Sequence, residues 1–313
     1  MAASTSPPVG LIGLGRMGQP IGRRLLDRGV PLWVHNRTVT AADPLRAAGA
    51  QWADSPKALG ATVGTGVVLT LLTDARALRA VLFGRSGLAR GLAPGALVVD
   101  LSTIAPDESR AVAARLATRG VGFVDAPLGG STPAAADGQL IAFVGGSPSE
   151  VDRARPLLAA FARRVEHLGP VGAGSSMKLV NNLLTVAHVA LAAEALAFAE
   201  ALDLPRERVV DLLLDGGAAS RMLALKRAAF VRRDYAPQFR LALAAKDLGL
   251  IARTARASGG AAPIAAEVRR CARAAIRAGR GDDDFAVLLE TALARYVRAP
   301  APGAGQAEGP RGR

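Results

Sequence analysis

Short apolar runs alternate with longer amphipathic stretches over the first half of the chain, up to about residue 170. Six of these runs are rich in valine, leucine and isoleucine: VGLIGLG, PLWVHN, VVLTLL, ALVVDLS, GFVDAPL and LIAFVGG. Runs of this length and composition are typical of buried strands, and each is separated from the next by enough residues for a crossover helix. The pattern predicts an α/β fold with a Rossmann-type, doubly wound and mostly parallel sheet.

The periodicity changes after HLGPVGAG. From there the chain consists of alanine-, leucine- and arginine-rich stretches with helical spacing, separated by glycine- and proline-containing breaks. We therefore expect an α/β domain at 1–170, an all-helical C-terminal domain at 171–299, and a disordered tail at 300–313, where apolar residues are too few to pack.

The formal charge of +13 raises the question of nucleic-acid binding. The arginines are scattered along predicted helices, and the chain has only two tryptophans and two tyrosines for stacking on bases. This distribution favours a charged surface that attracts small anions over a nucleic-acid partner.

The single cysteine, Cys271, excludes an internal disulfide and favours a cytoplasmic protein. The most apolar window, LLTVAHVALAAEALAFAEAL, contains His188, Glu194 and Glu200, which favours a buried helix over a membrane span. No targeting segment or membrane partner is expected.

A glycine-rich turn follows the first predicted strand. Gly13, Gly15 and Gly18 have the G-x-G-x-x-G spacing, with Arg16 and Met17 between them, and an amphipathic helix follows directly. Glycines allow a tight turn and close approach of a pyrophosphate to the helix N-terminus. An ordinary glycine-rich turn is the alternative, but the strand-turn-helix context favours a dinucleotide site.

The end of the second predicted strand bears on the choice of dinucleotide. An NAD site usually has an acidic residue there, whereas this chain has Asn36, Arg37 and Thr38. Their hydrogen-bond donors and positive charge suit a 2′-phosphate, so we expect NADP rather than NAD. The alternative is that Arg37 is one more solvated arginine.

Five motifs, in order, resemble the β-hydroxyacid dehydrogenase family, which includes 3-hydroxyisobutyrate dehydrogenase, tartronate semialdehyde reductase and glyoxylate and succinic semialdehyde reductases. They are GLIGLGRMGQPIG, VVDLSTIAP, DAPLGGSTPAAADGQLIAFVGG, GAGSSMKLVNN and LAAKDLGLI. The resemblance implies a long interdomain helix from about Gly174, a helical domain that forms dimers or tetramers, and reversible oxidation of a short 3-hydroxy acid to its semialdehyde. It implies no metal.

Lys178 is one of only four lysines in a chain with thirty-five arginines. On a helix it shares a face with Asn182, four residues on. A partly buried lysine can exchange a proton near neutral pH, whereas an arginine cannot. By resemblance, Lys178 is the general acid in reduction and the general base in oxidation, and Asn182 positions the reacting oxygen.

Three further residues are assigned to the cofactor. By resemblance, Lys246 reaches the cofactor from a later helix and Thr103 contacts it on the nicotinamide side; Leu72 lies in the run VVLTLL and is included with them. The alternatives are a local pair of Lys246 with Asp247 and a helix-capping role for Thr103.

Substrate contacts are expected at Gly129, Gly130 and Ser131. Most of the family has Ser-Gly-Gly here, whereas this chain has glycine in the serine position and a serine two residues later. The arrangement resembles that of sulfolactaldehyde reductases, but Gly130 replaces their sulfonate-binding arginine. We therefore expect a small carboxylate-bearing aldehyde as substrate, with a loop that contacts no ligand as the alternative.

Two rival functions remain. An imine reductase has a related fold and a similar end of the second strand, but those enzymes generally lack the lysine that this chain has at position 178. A non-catalytic dinucleotide-binding protein is the second rival. The helical part is too short for a 6-phosphogluconate dehydrogenase.

Overall fold

The computed structural model describes residues 7–296, so the predicted tail at 300–313 lies outside the described residues. The chain folds as two compact units. Within the described residues, the first consists of 7–185 together with Leu243–Arg269, and the second of Val186–Ala242 together with 270–296.

All strands belong to one sheet in the first unit. Their order is β3-β2-β1-β4-β5-β6-β8-β7, with β9 paired to β8. The pairs from β3 to β6 are parallel, whereas β8 runs antiparallel to β6 and β7. The strands are β1 (Val9–Ile12), β2 (Leu32–His35), β3 (Gln51–Trp52), β4 (Val67–Thr70), β5 (Leu97–Asp100), β6 (Gly122–Asp125), β7 (Leu128–Gly129), β8 (Leu140–Gly145) and β9 (Ala162–Gly169).

Helices occupy the crossovers of the sheet and nearly all of the chain after β9. They are α1 (Gly18–Asp27), α2 (Asp43–Ala47), α3 (Pro56–Val63), α4 (Ala75–Phe83), α5 (Pro106–Ala117), α6 (Thr132–Ala136), α7 (Pro148–Leu158), α8 (Ala173–Ala201), α9 (Arg206–Asp215), α10 (Arg221–Arg232), α11 (Leu241–Ala257), α12 (Pro263–Arg277) and α13 (Leu288–Leu293).

Two hydrophobic cores cover opposite faces of the sheet, because successive strand side chains point to opposite sides. In β5, Leu97 and Val99 face the core that contains Leu25 of α1, whereas Val98 faces the core that contains Leu116 of α5. Helices therefore pack on both faces, which confirms the predicted doubly wound fold.

The structure differs from the sequence prediction at the edges of the sheet. The run GFVDAPL, read as one strand, forms β6 and β7, and β3 and β9 were not predicted at all. β9 carries the exposed Arg163 and Arg164, so it lacks the apolar pattern of a buried strand. Its place is determined by parallel pairing with β8.

The second unit is helical, as expected, and contains a buried ion pair. Lys226 and Asp284 are 4% and 1% exposed, and Lys226 Nζ lies 2.9 Å from the carboxylate. The carboxylate also accepts hydrogen bonds from the backbone N–H groups of Gln238, Phe239 and Ala286. Both charges are therefore satisfied locally.

One helix, Ala173–Ala201, is long and apolar enough to span a membrane by length and composition alone, and core helices of soluble proteins pass the same test. Across residues 7–296, no group of three or more histidine, cysteine, aspartate or glutamate side chains is arranged to hold a metal ion.

Candidate active site

The turn between β1 and α1 is shaped by its glycines. Gly13 has a φ of +104°, and a Cβ there would lie 2.1 Å from the Leu71 carbonyl oxygen. A Cβ at Gly18 would lie 2.0 Å from the carbonyl oxygen of Gly13. These two glycines allow the turn to close tightly.

Gly15 has the opposite property, since a Cβ there would meet no atom within 4 Å. The turn is therefore open at Gly15, where a ligand can approach the backbone and the N-terminus of α1. Of the intervening residues, Arg16 is exposed and Met17 packs against the core. An open cradle before a helix N-terminus fits the pyrophosphate of a dinucleotide.

The end of β2 contacts this turn through Asn36. Its Oδ1 accepts a hydrogen bond from Leu14 N at 3.1 Å, and its Nδ2 donates to Thr38 O at 3.0 Å. The side chains of Arg37 and Thr38 are exposed beside it. Asn36 therefore holds the turn, and the exposed guanidinium of Arg37 places a positive charge at the strand end.

The loops after β4 and β5 are joined by a buried polar network. Asp100 Oδ1 accepts from Thr70 Oγ1 and Ser102 Oγ, both at 2.7 Å, and Ser102 Oγ accepts from Leu72 N at 2.8 Å. Burial raises the pKa of Asp100 to about 6, although these hydrogen bonds oppose the change. The network sets the relative position of the loops that carry Leu72 and Thr103.

Lys246 of α11 contacts the same two loops. Its Nζ donates to the carbonyl oxygens of Thr73 at 2.9 Å and Thr103 at 2.7 Å, and lies 3.0 Å from the carboxylate of Asp247. The local pair with Asp247 that the sequence left open therefore exists alongside contacts to the loops after β4 and β5.

Lys178 lies in the second turn of α8 and is partly buried. Its Nζ donates to Leu128 O at 2.5 Å, and no carboxylate of residues 7–296 is within ion-pair distance of it. Burial lowers the pKa of Lys178 to about 8; the charge of Asp247 opposes this change and that of Lys246 adds to it. A lysine of this kind can exchange a proton near neutral pH.

Asn182, one turn further along α8, is 3% exposed and held at both ends. Its Nδ2 donates to Asp247 Oδ2 at 2.7 Å, and its Oδ1 accepts from Asn181 Nδ2 at 3.0 Å. Asp247 thus links Asn182 to Lys246. From the sequence, Asp247 was expected only as a candidate local partner of Lys246, and its position after Lys246 in AAKDLGL is the only sequence signal for the contact with Asn182.

The predicted substrate segment leads from β7 into α6. Gly129 is buried in β7, Gly130 has a φ of +129°, and Ser131 precedes α6 without bonding the helix amides through its side chain. Thr132 Oγ1 is buried and has no hydrogen-bond partner in the described part of the chain. Since Gly129 follows Leu128, the segment begins next to the carbonyl that Lys178 contacts.

Two family profiles match adjoining parts of the chain. The NAD binding domain of 6-phosphogluconate dehydrogenase matches residues 8–169, and the profile described as NAD-binding of NADP-dependent 3-hydroxyisobutyrate dehydrogenase matches residues 172–292.

Individual relatives are similar over nearly their whole length. An NAD-dependent L-serine dehydrogenase of Pseudomonas aeruginosa is 34% identical, over 90% of this chain and 96% of that protein. The 3-sulfolactaldehyde reductase of Escherichia coli is also 34% identical, over 90% of this chain and 94% of that protein. The crystal structure of a 3-hydroxyisobutyrate dehydrogenase from Salmonella typhimurium has a TM-score of 0.83 and 31% identity, covering 91% of this chain and 99% of that one.

An imine reductase of Streptomyces aurantiacus is more distant, with a TM-score of 0.63 and 24% identity, and shares the fold. The two profiles and the full-length relatives agree with the family indicated by the motifs. The chain belongs to the β-hydroxyacid dehydrogenase family.

Proposed function

We propose that the protein is an NAD(P)-dependent oxidoreductase that interconverts a short 3-hydroxy acid and its semialdehyde, and that it works with NADPH on a small carboxylate-bearing aldehyde. The observation that carries this proposal is Lys178, an amine with a lowered pKa and no carboxylate partner in the described chain. It lies on the helix that also carries Asn182.

The chemistry assigned to Lys178 is proton transfer. In reduction, its ammonium donates a proton to the substrate oxygen as the carbonyl carbon gains a hydride; in oxidation, the neutral amine removes that proton. The hydrogen bond to Leu128 O orients the amine. Asn182 is proposed to position the reacting oxygen through whatever hydrogen-bonding capacity its contacts with Asp247 and Asn181 leave free.

The dinucleotide would be held by the glycine turn, the end of β2, and the two loops that Lys246 contacts. When bound, its nicotinamide supplies or accepts the hydride. The residues proposed to contact it are Gly13, Gly15, Arg16, Met17, Gly18, Asn36, Arg37, Thr38, Leu72, Thr103 and Lys246.

The preference for NADP is supported by the exposed Arg37 at the end of β2 and by the absence of a carboxylate at 36–38. A guanidinium can bind a 2′-phosphate with two hydrogen bonds. Arg37→Ala should therefore raise the KM for NADPH about tenfold or more and change the KM for NADH much less, as measured by steady-state kinetics. Equal changes for both cofactors would contradict the preference.

For the substrate, we propose contacts from Gly129, Gly130 and Ser131. The segment adjoins the Lys178 contact, and the unpartnered hydroxyl of Thr132 supports a polar ligand beside it. Backbone amides and hydroxyl groups at such a turn suit a carboxylate.

The reaction is tested by NADPH consumption with glyoxylate, succinic, methylmalonic and tartronic semialdehydes and cyclic imines. We expect turnover with at least one semialdehyde and none with imines, and loss of that turnover in Lys178→Ala with NADPH binding retained. Turnover of imines alone would favour the imine reductase alternative, and binding without turnover of any substrate would favour a non-catalytic protein.

The broader organisation is proposed as well. A dinucleotide domain at 1–170 and a helical domain at 171–299 are supported by the two profiles, which meet between residues 169 and 172. A homodimer or homotetramer is supported by exposed apolar side chains on the second unit, among them Leu191, Phe198 and Leu212. We propose a cytoplasmic enzyme whose partners are small anionic molecules and further copies of the chain.

A further inference from the structure

The end of β6 is in contact with the start of α8. The carboxylate of Asp125, the last residue of β6, accepts hydrogen bonds from Gly172 N and Ser175 N, both at 2.7 Å. Three residues further along the chain, Leu128 O accepts from Lys178 Nζ. One short segment, Asp125 to Leu128, therefore contacts both the beginning of the helix and its reactive amine.

We propose that Asp125 is a positioning residue that holds the first turn of α8 so that Lys178 lies at the strand ends, beside the proposed substrate segment. The proposal rests on the function proposed above for Lys178. Asp125 touches neither the reacting amine nor the residues assigned to the cofactor, and acts through the helix.

The geometry supports this role because both connections are short. Ser175 and Lys178 are three residues apart on α8 and share a face, and Asp125 and Leu128 are three residues apart on the facing segment. The carboxylate determines where the helix begins, and the carbonyl of Leu128 receives the amine nearly one turn later. A shift of the first turn would therefore move the amine away from its acceptor.

The atoms around Asp125 are closely packed, which leaves little room for a side chain of a different shape at this position. A Cβ on Gly145 would lie 2.6 Å from Asp125 Oδ1, and a Cβ on Gly174 would lie 2.7 Å from Asp125 O. Asp125 itself is 1% exposed. Without the carboxylate, at least one N–H of the first turn would remain buried without an acceptor, which is costly.

A second contact connects the same turn to the cofactor side. Ser175 Oγ lies 2.8 Å from Ser109 Oγ of α5, and Ser109 Oγ donates to Ala105 O at 3.4 Å. This contact uses the side chain of Ser175, whereas the 2.7 Å hydrogen bond to Asp125 uses its backbone N–H. The Ser175 hydroxyl also helps to lower the pKa of Asp125, so Ser175→Ala removes every contribution of the hydroxyl and keeps the N–H contacts.

Electrostatics also favour the contact between the Asp125 carboxylate and the start of α8. Burial raises the pKa of Asp125, and the hydrogen bonds from Gly172 and Ser175 oppose that change, so the amides favour its ionised form. A carboxylate at a helix N-terminus is also stabilised by the helix dipole. The charges that act on Lys178 are those of Asp247 and Lys246.

The test uses Asp125→Asn, in which the carboxamide has one acceptor oxygen for two N–H donors. We expect kcat to fall about tenfold to a hundredfold, the cost of a misplacement of about 1 Å. Because the amine would lose its buried position, its pKa should rise from about 8 towards the ordinary lysine value.

The pKa can be measured without turnover. The chain has only four lysines, so a titration of ¹⁵N/¹³C-lysine-labelled protein by NMR can follow each amine, and Lys178 is identified by the signal lost in Lys178→Arg. Ser175→Ala is the matched control, since it keeps both N–H contacts to Asp125, and its Lys178 pKa should stay near that of the parent.

Leu116→Ala controls for lost stability, because it opens a cavity in the core beside α5 and leaves the α8 contacts in place. Its Lys178 pKa should not change. If Asp125→Asn does not fold, Ser175→Pro removes one of the two N–H donors in the first turn of α8, where the N–H has no acceptor within the helix, and should raise the Lys178 pKa in the same direction.

An unchanged Lys178 pKa and an unchanged kcat in Asp125→Asn would overturn the positioning role, and so would equal pKa changes in Asp125→Asn and Leu116→Ala. These results are distinct from failure of the proposed function, in which Lys178→Ala retains turnover or the parent protein reduces no semialdehyde.

Discussion

Two lysines, one in each unit, show how the surroundings of an amine decide its role. Lys226 in the second unit lies against the carboxylate of Asp284, with Gln238 Oε1 at 3.2 Å and the ring of Phe285 at 5.0 Å. Lys178 in the first unit contacts the carbonyl oxygen of Leu128. Lys226 is buried and Lys178 is partly buried, but only Lys226 has a carboxylate in contact.

The difference separates structural from reactive lysines. A buried ammonium in contact with a carboxylate and further polar groups contributes to the fold, because removal of one partner leaves a buried charge uncompensated. A partly buried ammonium with only a carbonyl acceptor has a lowered pKa and can exchange its proton. Both residues belong to a chain with only four lysines, so the rarity of lysine does not by itself identify a catalytic residue.

The largest effect is expected for Lys178→Met, which removes the amine and keeps the length of the side chain. Turnover should fall about 10³- to 10⁴-fold, at the upper end of what general acid–base catalysis contributes. The free energy of unfolding at pH 7 should not decrease, because no buried charge is left unpaired. Single-turnover kinetics and urea denaturation measure both; a large loss of stability would make Lys178 a structural lysine like Lys226.

The same substitution at the other site should give the opposite result. Lys226→Met leaves Asp284 buried without its cation, so the free energy of unfolding should fall by about 3–5 kcal/mol. Turnover per folded molecule should remain near that of the parent at a temperature where the variant is folded. Denaturant titration gives the first quantity, and active-site-normalised kcat the second. A stable but inactive Lys226→Met would abolish the contrast.

Asp100 extends the comparison to carboxylates, since it is buried among hydroxyl groups whereas Asp284 is paired with a lysine. Its pKa is raised from 3.8 to about 6, so its contribution to stability is fully present below pH 3.8 and is lost as the pH rises through about 6. The change corresponds to about 3 kcal/mol. Asp100→Asn should lose that much less stability than the parent between pH 4 and pH 7 in denaturant titrations, and equal losses would refute the assignment.

The smallest effect is a change of rate with pH. In the proposed mechanism, reduction needs the Lys178 ammonium, so kcat for reduction should be constant below about pH 8 and fall about tenfold per pH unit above it. Oxidation needs the neutral amine, so its kcat should rise up to about pH 8 and then level off. Rate profiles in both directions, each repeated in Lys226→Met, check this. If the pH at which either rate profile bends changes in Lys226→Met, the titration does not belong to Lys178.

Sequence patterns were sufficient to predict features that depend on residues close together in the chain. The glycine spacing predicted the turn after β1, which has the tight closure at Gly13 and the open side at Gly15 that a dinucleotide site needs. The apolar runs predicted the central strands. They did not predict β9, because this strand is held in the sheet by backbone pairing with β8 and lacks apolar alternation of its own.

The contacts that shape the candidate site were not predictable in this way. Asp125 and Ser175 are fifty residues apart, and Asn182 and Asp247 are sixty-five residues apart. A sequence shows that such residues can form hydrogen bonds, but it does not show which of them meet. The roles of Asp100, Asp125 and Asp247 became visible only when the strand ends and helices were brought together.

The sequence alone determined the class of fold, the dinucleotide motif and the candidate amine, because these follow from the order of apolar and amphipathic segments, from the glycine spacing and from motifs that resemble a known family. Tertiary structure alone decided that Lys178 has no carboxylate in contact among the described residues, whereas Lys226 has one. The reason is physical: a pKa depends on burial and on nearby charges, and folding brings those from distant parts of the chain.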